Sequence, residues 1–399
     1  MWKVLHVNDY PVGSQGGAEV LMERTLRMLR RHGVATDLFT AVDLPNTRIT
    51  PGRYINNAGA RRALAAKLHS FRPDVVHLHN IYHVLSPGIL AELARFRKLN
   101  HLRVVMTAHD YHLVCPNSGL SWFRRGSPAF HPVEASRLSS LSYLLTRCWD
   151  QRGWAHSALK CAQHWWHYHL HDRREVLDLV ICPSRFATQL LRRTGRPTVW
   201  LPHPCPTVSA TRASRPGRLR FVYAGRLVRE KGLAELLNLL PADLDADWII
   251  IGEGPEKDRY LQILRARGLE SRVSFFGHLP HQETLAAIAA SHVLVLPSRW
   301  PETYGLTLIE ALAAGTNLLV SNQGAIQELV DAAKVGFAFT LDDKACLHRQ
   351  IHSIRDSHEA GTLNNFDVTG FLRERGEGEY IRRLLDIYAG DQASFRHAG

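Results

Sequence analysis

Short apolar runs alternate with amphipathic helical runs from one end of the chain to the other. In the first half, the runs with strand character are Lys3 to Asn8, Ala35 to Thr40, Val75 to His79, Val104 to Thr107, Leu179 to Cys182 and Thr198 to Leu201. Helical stretches such as Ala18 to Arg31 and Ala60 to His69 fall between them. Strands and helices in turn predict βαβ units and parallel sheets. After Leu201 the text becomes Pro202-His203-Pro204-Cys205-Pro206, followed by Ser, Thr, Arg and Gly. That composition reads as a linker. A second alternating series then runs through Leu219 to Ala224, Asp247 to Ile251, Val273 to Phe276, Val293 to Leu296 and Asn317 to Val320. The pattern predicts an α/β chain with two Rossmann-like, doubly wound domains facing a central cleft. They span residues 1–201 and 219–370, with a linker at 202–218. A C-terminal piece, 371–399, carries a helix near Glu377 to Tyr388 that could pack back on the first domain.

One segment breaks the rhythm. From Leu113 to Asp172 no clear strand is visible, but Trp122, Phe123, Arg124, Arg125, Trp149, Arg152, Trp154, Trp165 and Trp166 accumulate. An insertion of that length inside a compact domain is usually functional. The whole chain has 399 residues, 45% hydrophobic and 22% charged, which suits a globular protein of two cores. No apolar run reaches bilayer length, and the start lacks the features of a signal peptide, so a cytoplasmic protein is expected. Six cysteines lie far apart without a C-x-x-C pair, as expected of reduced thiols rather than a zinc site. The net charge of +12 suits a phosphorylated substrate or an anionic membrane surface. Nucleic acid is not expected, because no zinc finger, zipper or ribonucleoprotein motif is present.

Chemistry concentrates where strands run into helices. Glu302-Thr303-Tyr304-Gly305-Leu306-Thr307-Leu308-Ile309-Glu310 follows the strand His292 to Leu296 and opens the helix Leu306 to Ala314. Ligands of open α/β sheets bind at that end of the strands. Helix-start amides attract phosphate, and carboxylates accept hydrogen bonds from sugar hydroxyls. Ala224-Gly225-Arg226 leads into Lys231-Gly232, where two cations suit a diphosphate leaving group. Gly16 and Gly17 at the first βα junction would let backbone approach a ligand, although G-x-G-x-x-G is absent. Gly252 and Gly254 could leave room for a nucleotide base; a plain turn explains them equally. His109, in Thr107 to Tyr111, could donate to a sugar hydroxyl or a developing oxyanion, whereas His77 and His79 read as structural. No metal is expected. Asp243-Leu244-Asp245-Ala246-Asp247 has D-x-D spacing but lies at the wrong end of its strand. The run His164, His167, His169, His171 has no fixed acidic or cysteine partner and reads as surface or aromatic packing.

These residues, in this order, resemble the retaining glycosyltransferases of family 4 with the GT-B fold, over nearly the whole chain. Pro297 to Ala311 is similar to that family's E-x7-E element. Gly16-Gly17-Ala18-Glu19, Thr107 to Tyr111, Gly225-Arg226-Leu227 and Lys231-Gly232 add to the likeness. The resemblance implies a nucleotide-sugar donor held in the cleft, with no cofactor and no metal. It implies that Arg226 and Lys231 hold the diphosphate and that Glu302 contacts sugar hydroxyls. Amides from Gly305 to Thr307, next to Tyr304 and Leu306, would meet phosphate, and Glu310 would bind the ribose. Gly17 would lie against the diphosphate and His109 near the reacting carbon. Tyr304 stands where phenylalanine is frequent, and Asn317 follows Gly315-Thr316 where proline is common.

The expected activity is transfer of a hexose-type sugar, with retention, from a UDP- or GDP-sugar to a lipid-linked or polysaccharide acceptor. The aromatic and basic insertion, with Arg24, Arg27, Arg30, Arg31, Arg61, Arg62 and Lys67, suits peripheral attachment to the inner face of a membrane. Two other readings stay open: a nucleotide-sugar epimerase or phosphorylase on the same fold, and a binding protein without catalysis.

Overall fold

The computed structural model describes residues 2–13, 16–124, 130–134, 137–138, 140–205, 215, 217–241 and 243–390. The chain divides into two compact units. The first comprises Met1–His203 together with Gly378–Gly399, and the second is Pro204–Glu377. Of the stretch read as a linker, 206–214 and 216 lie outside the described residues, while Pro202 to Cys205 are buried.

The first unit is built on β1 (Lys3–Val7), β2 (Ala35–Phe39), β3 (Val75–Leu78), β4 (Arg103–Thr107), a hairpin of β5 (Ser121–Phe123) and β6 (Phe130–Pro132), β7 (Leu179–Cys182) and β8 (Thr198–Trp200). Its main sheet has the order β2-β1-β3-β4-β7-β8, every pairing parallel. Buried on both faces, its strands carry few polar side chains, as parallel sheets require. One face sends Leu5, Val7, Val76, Leu78, Val104 and Met106 into the larger core. The other sends Val4, Val75, Val105 and Ile181 against Tyr380, Leu384 and Tyr388. Those three belong to the helix Glu377–Ala389, whose outer face is held by Arg382 pairing with Glu379 and Asp386.

The segment from Leu113 to Asp172 differs from its sequence reading in one respect. Among the described residues it contains the β5–β6 hairpin, where no strand was legible. Three-residue strands are too short to show periodicity. It also contains the helices Leu141–Leu145 and Trp154–Trp165 and a wide π turn, Trp166–Leu170. Residues 125–129, Arg125 among them, lie outside the described residues.

The second unit holds β9 (Arg220–Ala224), β10 (Asp247–Ile251), β11 (Val273–Gly277), β12 (Val293–Leu296), β13 (Asn317–Ser321) and β14 (Phe337–Phe339). Their order, β11-β10-β9-β12-β13-β14, is again wholly parallel. It is the doubly wound order in which the chain reverses direction between the first and fourth strands. Phe221 stacks on Trp248 at 4.4 Å in one core layer, and Leu294, Leu308 and Val320 fill the other. The sequence reading missed β14, which is also only three residues long.

Leu384 is fully buried against the first sheet. Leu384→Ala should destabilise the chain by about 2–5 kcal/mol. A lower urea midpoint for the first unit's transition is the expected result; an unchanged midpoint contradicts this packing.

Candidate functional site

In the second unit the sheet reverses direction between β9 and β12. In open α/β sheets a ligand crevice forms at that point, beyond the carboxyl ends. The β9–β12 register runs over Val293↔Phe221 and Leu294↔Val222, and both strands then pass into loops. The β9 loop carries Arg226 and Lys231, and the β12 loop carries Glu302.

Lys231 Nζ donates to Glu302 Oε1 at 2.5 Å, and Ser298 Oγ donates to the same oxygen at 2.9 Å. With side-chain exposures of 20% and 14%, this ion pair escapes much of the screening that weakens surface pairs. The backbones are tied too: the amides of Arg299 and Trp300 donate to the Glu230 carbonyl at 2.9 and 3.3 Å. Gly232 explains why the lysine must be followed by glycine. Its φ is +68°, and a Cβ there would lie 2.0 Å from the Pro297 carbonyl oxygen. Arg226 is exposed and makes no ion pair among the described residues. Its carbonyl accepts from the Tyr223 hydroxyl at 2.8 Å.

Gly252 and Gly254 brace this loop from behind. A Cβ on Gly252 would lie 1.9 Å from the Gly225 carbonyl oxygen, and one on Gly254 would lie 2.2 Å from that of Leu227. Backbone bonds Gly225 N to Ile251 O (3.0 Å) and Leu227 N to Glu253 O (2.9 Å) lock the two turns together. Close packing therefore already requires both glycines.

Gly305, with φ +88°, caps the helix Leu306–Ala313, and no side chain caps it. The amides of Leu306 and Thr307 form its first turn, with the partial positive charge of a helix start. Tyr304 is buried beside apolar residues with its phenol hydrogen-bonded to Arg375, and burial pushes that phenol well above the usual range. Glu310, on the next turn, lies 3.6 Å from His281 Nε2. The two glutamates of the E-x7-E element thus have different neighbours.

In the first unit, Gly16 is the N-cap and Gly17 the first residue of the helix Gly17–Arg31; residues 14–15 lie outside the described residues. The buried Glu19 carboxylate sits against that cap, held by Asn8 Nδ2 at 2.9 Å. An acidic group therefore already answers part of the helix-start field on which the expected diphosphate contact at Gly17 depends.

His109 follows β4. Its Nε2 lies 2.9 Å from His79 Nδ1, and His79 Nε2 lies 3.0 Å from His6 Nδ1. His77 is engaged elsewhere, with the Tyr388 hydroxyl at 2.6 Å and Thr107 Oγ1 at 2.7 Å. Burial holds His6 down to about 3 and His109 to about 4, and puts His77 and His79 well below the ordinary histidine range. Of the two histidines read as structural, His77 is tied to the C-terminal helix and His79 to His109.

Sequence reasoning also missed two buried carboxyls. Asp9 accepts from the amides of His83, Val84 and Leu85, each at 2.8 Å, and Asp110 accepts from the Tyr82 hydroxyl. Burial raises both to about 6. Neither stands in a pattern that reveals burial before folding. Of the doubtful metal readings, Asp245, in the loop before β10, and Asp247, the first residue of β10, both pair with Arg218. His164 is buried among rings, 5.1 Å from Tyr168, and His167 is buried with its Nε2 2.6 Å from the Ile55 carbonyl oxygen, whereas His169 and His171 are exposed.

Comparison with known proteins agrees with this geometry. Residues 208–366 match the family model described as glycosyl transferases group 1. A glycogen synthase of Mycobacterium tuberculosis is 28% identical over 328 residues, 80% of this chain and 69% of that protein. A GDP-mannose-dependent alpha-(1-6)-phosphatidylinositol dimannoside mannosyltransferase of the same species is 32% identical over 232 residues, 54% of this chain and 55% of its own. Among solved structures, a sucrose-phosphate synthase from Thermosynechococcus elongatus superposes with a TM-score of 0.72 at 17% identity, covering 99% of this chain and 100% of that one. Anabaena HepE, solved in complex with UDP and glucose, gives 0.65 at 17% identity, covering 98% and 100%. The chain has the GT-B fold, and its likeness to the group 1 family model and to these relatives makes it a glycosyltransferase. The second unit carries its group 1 glycosyl transferase domain.

The buried imidazoles give the protein a pH signature. Unfolded histidines protonate near the ordinary value of 6.5, but folded His6 stays neutral to about 3, and His83, His109 and His167 to about 4. Within that window the unfolded state binds more protons, so stability falls as pH falls. Asp9 and Asp110 work the other way between about 6 and 3.8, because their folded carboxyls keep a proton the unfolded ones release. The histidines are more numerous, so the first unit's thermal midpoint should drop between about pH 7 and about pH 5. A rise over that range would contradict neutral, buried imidazoles.

Proposed function

We propose that the enzyme transfers a hexose from a UDP- or GDP-sugar, with retained anomeric configuration, to a lipid-linked or polysaccharide acceptor. The observation that carries this reading is the Lys231–Glu302 pair, 2.5 Å apart, beside the Gly305-capped helix start at the reversal point of the second sheet. A lysine ammonium has three donor directions. One is spent on Glu302, and the others suit phosphate oxygens. Arg226 adds a second cation from the same loop. The amides of Leu306 and Thr307 offer uncharged donors to the same phosphate. Glu302 serves the sugar hydroxyls and Glu310 the ribose.

The proposed reaction proceeds on one face of the sugar. The bond from the anomeric carbon to the diphosphate oxygen breaks, and its electron pair stays on the diphosphate. The acceptor hydroxyl oxygen bonds to that carbon, and its proton passes to the departing oxygen. Arg226 and Lys231 stabilise charge that grows in the transition state, where preorganised cations are most effective. No divalent ion takes part in this scheme, so turnover should survive a chelator. His109 donates to a sugar hydroxyl. The relatives support the donor class: one is GDP-mannose-dependent, and one structural neighbour was solved with UDP and glucose.

A membrane-facing acceptor rests on a different surface. Trp154, Trp165, Trp166 and Leu170 are exposed on the Trp154–Trp165 helix and the turn after it. Arg61 and Lys67, by contrast, are paired with Glu92 and Asp37 at 2.6 Å each, which reduces their share in any electrostatic attachment. Trp165→Ser with Trp166→Ser should weaken cosedimentation with anionic vesicles. Equal binding by wild type and variant removes this surface from the proposal.

The decisive test is a panel of UDP- and GDP-sugars with extracted lipid acceptors, followed by release of nucleoside diphosphate. Lys231→Ala should lower kcat by about a hundredfold to a thousandfold. The circular dichroism spectrum should stay unchanged. Wild-type turnover in that variant ends the phosphate-clamp reading. Conversion of donor to an epimer without acceptor would favour the epimerase instead.

A further inference from the structure

We propose that Arg375 is a positioning residue for the β12 loop: through the Tyr304 hydroxyl it holds the helix start at Gly305, and with it Glu302, in place. Its charge lies in an unusual setting. Arg375 is 7% exposed, and its Nε is buried without a hydrogen-bond partner among the described residues. Its one ion pair among the described residues is with Glu374, at 3.5 Å, and that carboxylate is 77% exposed. An exposed partner at that distance does little for a buried cation. Neutral groups do more. Nη1 donates to the Phe371 carbonyl at 3.0 Å, and the guanidinium lies 3.7 Å from the centre of the Phe371 ring. A guanidinium has only donors, so the Tyr304 phenol oxygen accepts in the bond between them.

The main chain of Arg375 is fixed as well. Its amide donates to the Leu372 carbonyl at 3.1 Å, and its carbonyl accepts from the Cys205 amide at 2.6 Å. The chain enters the second unit at Pro204 and leaves it after Glu377. Arg375 therefore joins the arriving segment to the departing one through its carbonyl, and both to the β12 loop through its side chain. All of these contacts lie within the second unit. Cys205 and Tyr304 belong to one apolar cluster, with Phe371 packed against it. Tyr304 stands directly before Gly305, the cap of the helix Leu306–Ala313.

Packing alone does not call for this pair. A phenylalanine would fill the apolar space of Tyr304, and a methionine at 375 would avoid desolvating a cation; replacing buried ionic groups by apolar ones often leaves a protein as stable or more so. Placement does call for it. Glu302 is fixed on one side by Lys231 and Ser298. The Tyr304–Arg375 bond supplies a second point of attachment just beyond it. Two such points define the course of a loop, whereas one leaves it free to pivot. The amides of Leu306 and Thr307 then start from a set position, ready for an anion without a further ordering cost.

The hold on the loop is independent of any ligand; its consequence for binding rests on the donor site proposed above. In full-length protein without nucleotide, Tyr304→Phe should speed amide hydrogen exchange over residues 302–309 by about threefold to tenfold and leave β9 unchanged. That variant keeps the ring, so it serves even if Arg375→Met fails to fold. Exchange that stays the same at 302–309, or quickens equally in β9, overturns the positioning role. Titration with UDP and with GDP reads the consequence. The Kd of the nucleotide that binds should rise by about threefold to tenfold in Tyr304→Phe and in Arg375→Met, and no further in the double variant. The cycle counts only what the two residues share, whatever else each touches, so additive losses overturn the coupling. In turnover the KM for the donor should rise by a similar factor, the mark of lost uniform binding. A fall in kcat at constant KM would mean fewer folded molecules and would also overturn it. Wild type that binds neither nucleotide ends the donor-site reading, and the exchange rates then decide the role of Arg375 by themselves.

Discussion

A parallel sheet covered on both faces gives a polar side chain nowhere to meet water, so its chemistry is driven to the carboxyl ends of the strands. The second unit obeys this constraint. Phe221, Val222, Leu294, Val295 and Leu319 are buried along the strands, and polar groups appear where β9 and β12 give way to loops. The first unit breaks it on one face. His6 and Thr107 lie within β1 and β4, and His77 pairs with His6 across the β1–β3 register. Such groups must find partners inside the protein. Tyr388 is one of those partners, so the C-terminal helix supplies a hydroxyl to the sheet as well as an apolar face.

The same constraint explains the site in the second unit. Two loops meet at a point where strand pairing ends, and the β9 loop has only the short 3-10 turn Arg229–Lys231 to hold it. Glycine contacts and a largely buried ion pair do that work. Gly252 and Gly254 let one turn press on the Gly225–Leu227 loop, and Gly232 lets Lys231 come up against the β12 loop. Ser298 then fixes the Glu302 oxygen that receives the ammonium. A lysine held in this way loses less rotamer freedom when an anion arrives, which is the meaning of preorganisation here.

The alternation of apolar strands and amphipathic helices was legible because parallel strands are nearly continuous apolar runs. Strand ends were read to within a residue, and the residues of both loops could be named. β14 and the β5–β6 hairpin were not, since three residues cannot display a period. The reason for Gly252 was hidden for another cause: its partner, Gly225, is distant in sequence and meets it only through the fold. Burial was the least visible property. Nothing in Asn8-Asp9 or His109-Asp110 distinguishes a solvated carboxyl from one raised to about 6, or shows that His79 rather than His77 reaches His109.

Burial also explains why a sugar-contacting histidine should be neutral. On the proposed reading, negative charge grows on the diphosphate while the sugar ring gains oxocarbenium character, as in glycoside chemistry generally. Cations therefore belong with the phosphate, where Arg226 and Lys231 are placed. An imidazolium beside the sugar would oppose the positive charge developing there, whereas a neutral N–H can hold a hydroxyl without that penalty. Desolvation of the cluster around His79 removes the charge. Burial that costs stability in acid is thus the same burial that lets the first unit offer direction without charge.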